Sequence, residues 1–292
     1  MKNFIRSLQK ELDQIGDALE HRTFFSLTGE ETQFLREETG KLLKKLDSIQ
    51  ESYLTIGLLG GTGVGKSTLM NALAGSVIAS ASHRRPHTNH ALVYRHVGAS
   101  TPSPLVSTDL PMQEITHEAE DIKQTLLCDL PDFDSLMGEH RHYVIRFLEH
   151  LDVLIWVTSP EKYADGRFYE FLQMVPKAEQ NFYFVLNKAD LFFQSKSLEI
   201  GYEQLASVTT RFQEHIKRNG IQGPLIFAIS AKGALDSDQL PPWNQLTAFR
   251  HEIFQQRNIK QVTAIKAGNL DVEVQNLISA FKKEVINLEV FD

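Results

Sequence analysis

One cysteine, Cys128, stands among the 292 residues, so no disulfide can close within the chain. A fold stapled by bridges is excluded, and a reducing compartment, the cytoplasm, is the expected location. The setting of Cys128 in the apolar run "TLLCDL" reads as a small core residue rather than a reactive thiol. No stretch reaches about 18 uninterrupted apolar residues, so no membrane-spanning helix is expected. Peripheral attachment to a membrane stays open. The N-terminal "MKNFIRSLQKELDQIG" is charged throughout and has no apolar core, so a secretory leader is not expected. Positive charge is not in excess: 30 Lys and Arg stand against 37 Asp and Glu, a net charge of -7. There is no global basic field, and nucleic acid is not an expected partner. Internal repeats and low-complexity tracts are missing as well, which excludes a solenoid.

What is present is an ordinary globular balance, with 42% hydrophobic and 23% charged residues. Residues 1–52 read as helical, with Leu8, Leu12, Ile15 and Leu19 at three- and four-residue spacing. "SLTGEE" marks a break before a second run, Phe34, Leu35, Leu42, Leu46 and Ile49. From 53 the pattern changes to alternating strands and helices. "YLTIGLLG", "ALVYRHV", "TLLCDL", "DVLIWVTS", "NFYFVLN" and "PLIFAIS" are six strand candidates, and 98–111 reads as a loop. Helical stretches lie between them, which argues for an α/β layer fold with a mostly parallel six-stranded sheet. Residues 251–292 return to a helical pattern. The expected organisation is a helical segment 1–52, an α/β domain 53–250 and a helical segment 251–292. The two flanks are expected to pack together. They read either as a structural bundle or as an element that meets a partner or a membrane.

"GGTGVGKST" comprises Gly60, Gly61, Thr62, Gly63, Val64, Gly65, Lys66, Ser67 and Thr68. It matches G-x-x-x-x-G-K-[ST] between a strand and a helical run, as a phosphate-binding loop requires. Glycines let backbone N–H groups converge on phosphate oxygens. Lys66 would bring a point charge to the β- and γ-phosphates, and Ser67 a hydroxyl to Mg2+. The N-terminus of the following helix adds partial positive charge.

The base is read from "NKAD", Asn187, Lys188, Ala189 and Asp190, after the strand "NFYFVL". A carboxylate at Asp190 can accept from guanine N1–H and its 2-amino group. Adenine offers no such pair, and a buried carboxylate left unpaired is costly. "SAKG" places Ser230, Ala231 and Lys232 after the next strand. These motifs, in this order, resemble the Ras-like superfamily of P-loop GTPases over about 53–250. Within it, "GGTGVGKSTLMNALAG" and "RRPHT" are similar to the translation-factor-related branch, in its Era-like and dynamin-like region. The resemblance implies a three-layer P-loop GTPase domain flanked by N- and C-terminal helices. It implies GTP and GDP as ligands and Mg2+ as cofactor. It also allows a homodimer across the nucleotide face, or a protein or membrane partner reached through the helical flanks.

The resemblance further implies that Thr88 is the second hydroxyl ligand of Mg2+, and that its carbonyl helps place water. Asp129 then holds the metal through water, and Ser67, Thr88 and Asp129 form the metal set. Asp129 opens the D-x-x-G motif of switch II, but Asp132 stands where the family has glycine. That adds negative charge beside a negative ligand. Phe133 follows, where Ras-like proteins carry glutamine; a hydrophobic residue there is shared with the Era-like and dynamin-like members. Gly63 stands where potassium-activated members carry asparagine, so potassium activation is not expected. Arg84 and Arg85 read as loop arginines, and His83, His87 and His90 lack the spacing of a metal site. Two activities follow: Mg2+-dependent GTP hydrolysis, slow alone and catalysed around Lys66 and Thr88, or a nucleotide-sensing switch with negligible hydrolysis because of Asp132.

Overall fold

The computed structural model describes residues 2–21, 28–48, 53–79, 91–99, 111–132, 144–145, 147–148, 150–175, 181–237, 239–255 and 259–289. The chain divides into two compact units. One is helical and built from the two ends of the chain; the other is α/β and begins at Tyr53.

The helical unit contains α1 (Lys2–His21), α2 (Gly29–Ser48) and a long C-terminal helix, Ile259–Glu289. Leu8, Leu12 and Leu19 of α1 pack with Leu35, Leu42 and Leu46 of α2 and with Ala267, Leu270, Val274 and Leu277. Their helical spacing puts them on one stripe of each helix, which must be covered to leave water. Thr28 starts α2 through a reciprocal capping box. Its Oγ1 accepts from the Glu31 N–H at 3.2 Å, and Glu31 Oε2 accepts from the Thr28 N–H at 2.7 Å. The Thr28 backbone and hydroxyl hydrogen bonds hold the Glu31 carboxyl below its usual range. Lys45 pairs with Glu273 at 2.7 Å and ties α2 to the long helix. Among the described residues, no helix is long and apolar enough to cross a membrane.

The α/β unit is built on β1 (Leu54–Gly60), β2 (Ala91–His96), β3 (Met112–His117), β4 (Thr125–Asp129), β5 (Val153–Thr158), β6 (Phe182–Leu186) and β7 (Leu225–Ala228). They form one sheet in the order β3-β2-β4-β1-β5-β6-β7. β4, β1, β5, β6 and β7 run parallel, while β2 is antiparallel to β4 and parallel to β3. The sheet is mostly parallel, as expected, but it has seven strands rather than six. The additional one, β3, is an edge strand in "MQEITH" with Gln113, Glu114 and Thr116 exposed. It has too few buried positions to show as an apolar run.

Every residue of β1, β4, β5 and β6 is buried, so both faces of the sheet are covered. On one face Trp156 packs edge-to-face on Phe168, with centroids 5.2 Å apart, among Phe147, Phe171, Phe184 and Phe212. Parallel strands gather their C-terminal ends on one side, so the loops after β1, β4, β5, β6 and β7 converge there.

β1 delivers the phosphate loop, and its start is fixed by a buried polar clasp. Asp152 Oδ2 accepts from the Thr55 N–H at 2.9 Å and from Thr55 Oγ1 at 2.8 Å. The Asp152 N–H donates to Thr55 Oγ1 at 3.0 Å. Asp152→Ala removes the acceptor of two buried donors. It is expected to destabilise the protein by about 2–3 kcal/mol, measured by denaturant unfolding. Asp152→Asn, which keeps an acceptor oxygen, is expected to lose less.

Candidate functional site

β1 ends at Gly60 and helix α3 (Lys66–Ala74) begins six residues later. The intervening turn uses left-handed backbone at Gly63 (φ +76°) and Gly65 (φ +89°), which L side chains rarely adopt. A Cβ at Gly60 would lie 2.5 Å from the Val157 carbonyl of β5. The first backbone bond into α3 runs from the Leu69 N–H to the Gly65 carbonyl at 2.9 Å. The N–H groups of Lys66, Ser67 and Thr68 therefore lie at an open helix N-terminus, the arrangement that holds anions. Gly61 and Val64 are buried, whereas Thr62 and Gly63 face solvent.

Lys66 is only 8% exposed. Its Nζ donates to the Gly60 carbonyl at 3.2 Å and makes an ion pair with the Asp132 carboxylate, which is 28% exposed. Ser67 Oγ donates to Asp129 Oδ2 at 3.2 Å, at the end of β4. A hydroxyl and a carboxylate side by side at a helix N-terminus are hard oxygen donors that suit Mg2+. Among the described residues there is no cluster of three His, Cys, Asp or Glu side chains for a metal. Mg2+ in phosphate sites needs none, since water and phosphate fill most of its octahedron. Ser67 and Asp129 fit that role.

Asn187, 2% exposed, joins three loops. Its Nδ2 donates to the carbonyls of Val64 at 3.0 Å and Gly65 at 3.3 Å. Its Oδ1 accepts from the Ala231 N–H at 3.1 Å. A Cβ at Gly65 would meet Asn187 Nδ2 at 2.5 Å, so only glycine lets the loops come this close. Lys188 follows in left-handed backbone (φ 60°) and starts the 3-10 turn Ala189–Phe192. Asp190 lies half-buried on that turn and accepts from Gln194 Nε2 at 3.2 Å. The turn sits on an apolar cluster of Leu186, Ala189, Phe192 and Ala228. Ser230 caps the short helix Ala231–Asp236 by accepting from the Gly233 N–H at 3.2 Å; Lys232 lies on its first turn.

Other residues of the site were not expected from the sequence. Lys162, in the loop after β5, donates to the Thr62 carbonyl at 2.8 Å and braces the phosphate loop. Its neighbour Glu161 accepts from Ser159 Oγ at 2.7 Å. That hydrogen bond, with the charges of Lys188 and Lys162, holds the Glu161 carboxyl below its usual range. Asn244 brackets the loop at Ser230: its Oδ1 accepts from the Ser230 N–H at 3.3 Å, and its Nδ2 donates to the Ser230 carbonyl at 3.0 Å. "SPEKY" and "PPWNQL" read only as a strand end and a turn, and nothing local in them announces these contacts. Cys128 is buried, and burial pushes its thiol pKa up, as its place in the core requires. Thr88 and Phe133 lie outside the described residues, as do His83, Arg84, Arg85, His87 and His90.

The sheet order, the phosphate loop at the β1–α3 junction and the Asn187 bridge define a P-loop nucleotide-binding α/β domain. Residues 55–188 match the family described as 50S ribosome-binding GTPase, and that stretch is similar to P-loop GTPase domains. The probable transmembrane GTPase FZO-like, chloroplastic, of Arabidopsis thaliana is 24% identical over 206 residues, which are 70% of this chain and 22% of that protein. A chain of an oligomerised bacterial dynamin pair, described as sensing and tethering membranes at long range, superposes with a TM-score of 0.54. It is 17% identical and covers 97% of this chain and 48% of its own. A second structure of such a pair gives 0.52 at 16% identity, covering 99% of this chain and 58% of its own. This chain thus spans about a fifth of the FZO-like protein and about half of the dynamin chains.

Proposed function

We propose that this protein binds GTP and GDP with Mg2+ and hydrolyses GTP to GDP and phosphate, as a nucleotide-dependent switch. The observation that carries the reading is the Asn187 bridge. One buried side chain couples the phosphate loop, at Val64 and Gly65, to the "NKAD" and "SAKG" loops. A nucleotide held at both ends needs that spacing fixed, and an unrelated Gly-rich turn does not.

In this reading Gly60 to Thr68 wrap the phosphates, and Asp190 reads the guanine edge while Lys188 lies along its plane. Ser230, Ala231 and Lys232 close over the base. Ser67, Thr88 and Asp129 would hold Mg2+, and the ion would supply positive charge to offset that of the β- and γ-phosphates. Water attacks the γ-phosphorus and the bond to the β–γ bridging oxygen breaks, releasing GDP. Lys66 stabilises the charge that moves onto those oxygens, and the Thr88 carbonyl helps orient the water. Turnover is slow in the isolated chain and faster in a homodimer across the nucleotide face or with a partner. The oligomeric bacterial dynamin pair supports that part, and favours the dynamin-like over the Era-like branch. The helical unit is the element we assign to a partner or to peripheral contact with a membrane surface.

Phosphate release at saturating GTP tests the reading. Turnover is expected with Mg2+ and is expected to fall to background when EDTA removes it. The rate per molecule is expected to rise with protein concentration. Release that ignores EDTA would count against the metal set. A second reading, a switch with negligible hydrolysis, is favoured by one contact, the ion pair of Lys66 with Asp132.

A further inference from the structure

Lys66 has three N–H donors and no more. One goes to the Gly60 carbonyl, fixed at the end of β1, and one to the Asp132 carboxylate. One donor is left for a phosphate. On the reading proposed above, GDP asks Lys66 for a single contact, to its β-phosphate, and Asp132 can stay. GTP asks for two, to the β- and γ-phosphates, and three donors cannot serve four acceptors. Gly60 is backbone within the sheet, with its Cα packed against Val157, and cannot leave. Asp132 is a partly exposed side chain on the loop after β4, and it can.

We propose that Asp132 is a specificity-determining residue, a carboxylate that competes with the γ-phosphate for Lys66 and biases the protein toward GDP. The site then discriminates by phosphate number through its own side chain. Charge acts in the same direction, because a carboxylate beside the γ-phosphate repels it more than it repels a terminal β-phosphate further away. When GTP binds, Asp132 must swing off Lys66. The Asp132 side chain therefore responds to the arrival of the γ-phosphate, although the glycine of the family pattern is missing. Glycine at this position could not compete, having no side chain. The departure from D-x-x-G adds a term to the nucleotide equilibrium rather than only removing backbone freedom.

The inference rests on the GTP/GDP reading, and its test separates the two. Fluorescent GDP and a fluorescent non-hydrolysable GTP analogue are titrated, with Mg2+, against the full chain, Asp132→Asn and Asp132→Gly. Asparagine keeps the shape and loses the charge; glycine removes the side chain. Both variants are expected to tighten the GTP analogue on the order of tenfold, with GDP moving much less, so that the GTP/GDP affinity ratio rises. Equal shifts for the two nucleotides, or an unchanged ratio in both variants, would overturn the proposal and leave the nucleotide reading intact. Failure of the parent and both folded variants to bind either nucleotide would overturn both.

Discussion

Lys66→Ala is expected to reduce GTP turnover roughly a hundred- to a thousand-fold while the protein stays folded. The reasoning starts from burial. An ammonium 8% exposed, with two acceptors on it, is held in place before any phosphate arrives. Charge that is prepositioned in a water-poor site costs no reorganisation when the γ-phosphoryl group transfers, and losing one such group costs that order of rate. Alanine also releases Asp132, which then sits without its cation beside a negative ligand, so GTP binding weakens as well. Turnover and thermal midpoint should be measured together, and Lys66→Met, which keeps the volume, guards against a packing artefact. The same measurement divides the two activities. A parent enzyme that releases phosphate no faster than Lys66→Ala, even at high protein concentration, would leave only the switch without hydrolysis.

The parts of this site that are legible in the sequence are those that are local. Gly60 to Thr68 need only a strand before them and a helix after, and β1 and α3 supply both. "NKAD" follows β6 in the same way. Apolar runs reveal the strands that are buried on both faces. β3 escapes because only Met112, Ile115 and His117 are sheltered, and an edge strand does not need more. What no local pattern contains is partnership at a distance. Asp132 stands out as a departure from D-x-x-G, but its ion pair is with Lys66, on another element. Lys162 reaches Thr62, and Asn244 reaches Ser230, from segments that read as a strand end and a turn. These contacts exist because parallel strands bring their C-terminal loops to one side, a property of the sheet and not of any loop. The same holds within the helical unit, where the apolar stripes of α1 and α2 are plain but their cover by Leu270, Val274 and Leu277 depends on the other end of the chain.

Asn187→Ala is expected to weaken GDP and GTP together, by about a hundredfold. Three hydrogen bonds end on this side chain: Nδ2 to the carbonyls of Val64 and Gly65, and the Ala231 N–H to Oδ1. At about 1 kcal/mol net each, their loss amounts to roughly 3 kcal/mol, and each 1.4 kcal/mol is tenfold in affinity. The effect is shared by both nucleotides because the bridge sets the span between phosphate loop and base, which GDP and GTP have in common. That separates it from Asp132, where only the γ-phosphate is contested. Asn187→Asp sharpens the test, because it keeps an oxygen for the Ala231 N–H and puts another against the Val64 and Gly65 carbonyls. It is expected to be worse than alanine, since one carboxylate oxygen then faces two carbonyl acceptors with no donor between them. If both variants remain folded by circular dichroism and bind GDP within about threefold of the parent, the loops hold their spacing without Asn187, and the observation on which the functional reading rests would fall with it.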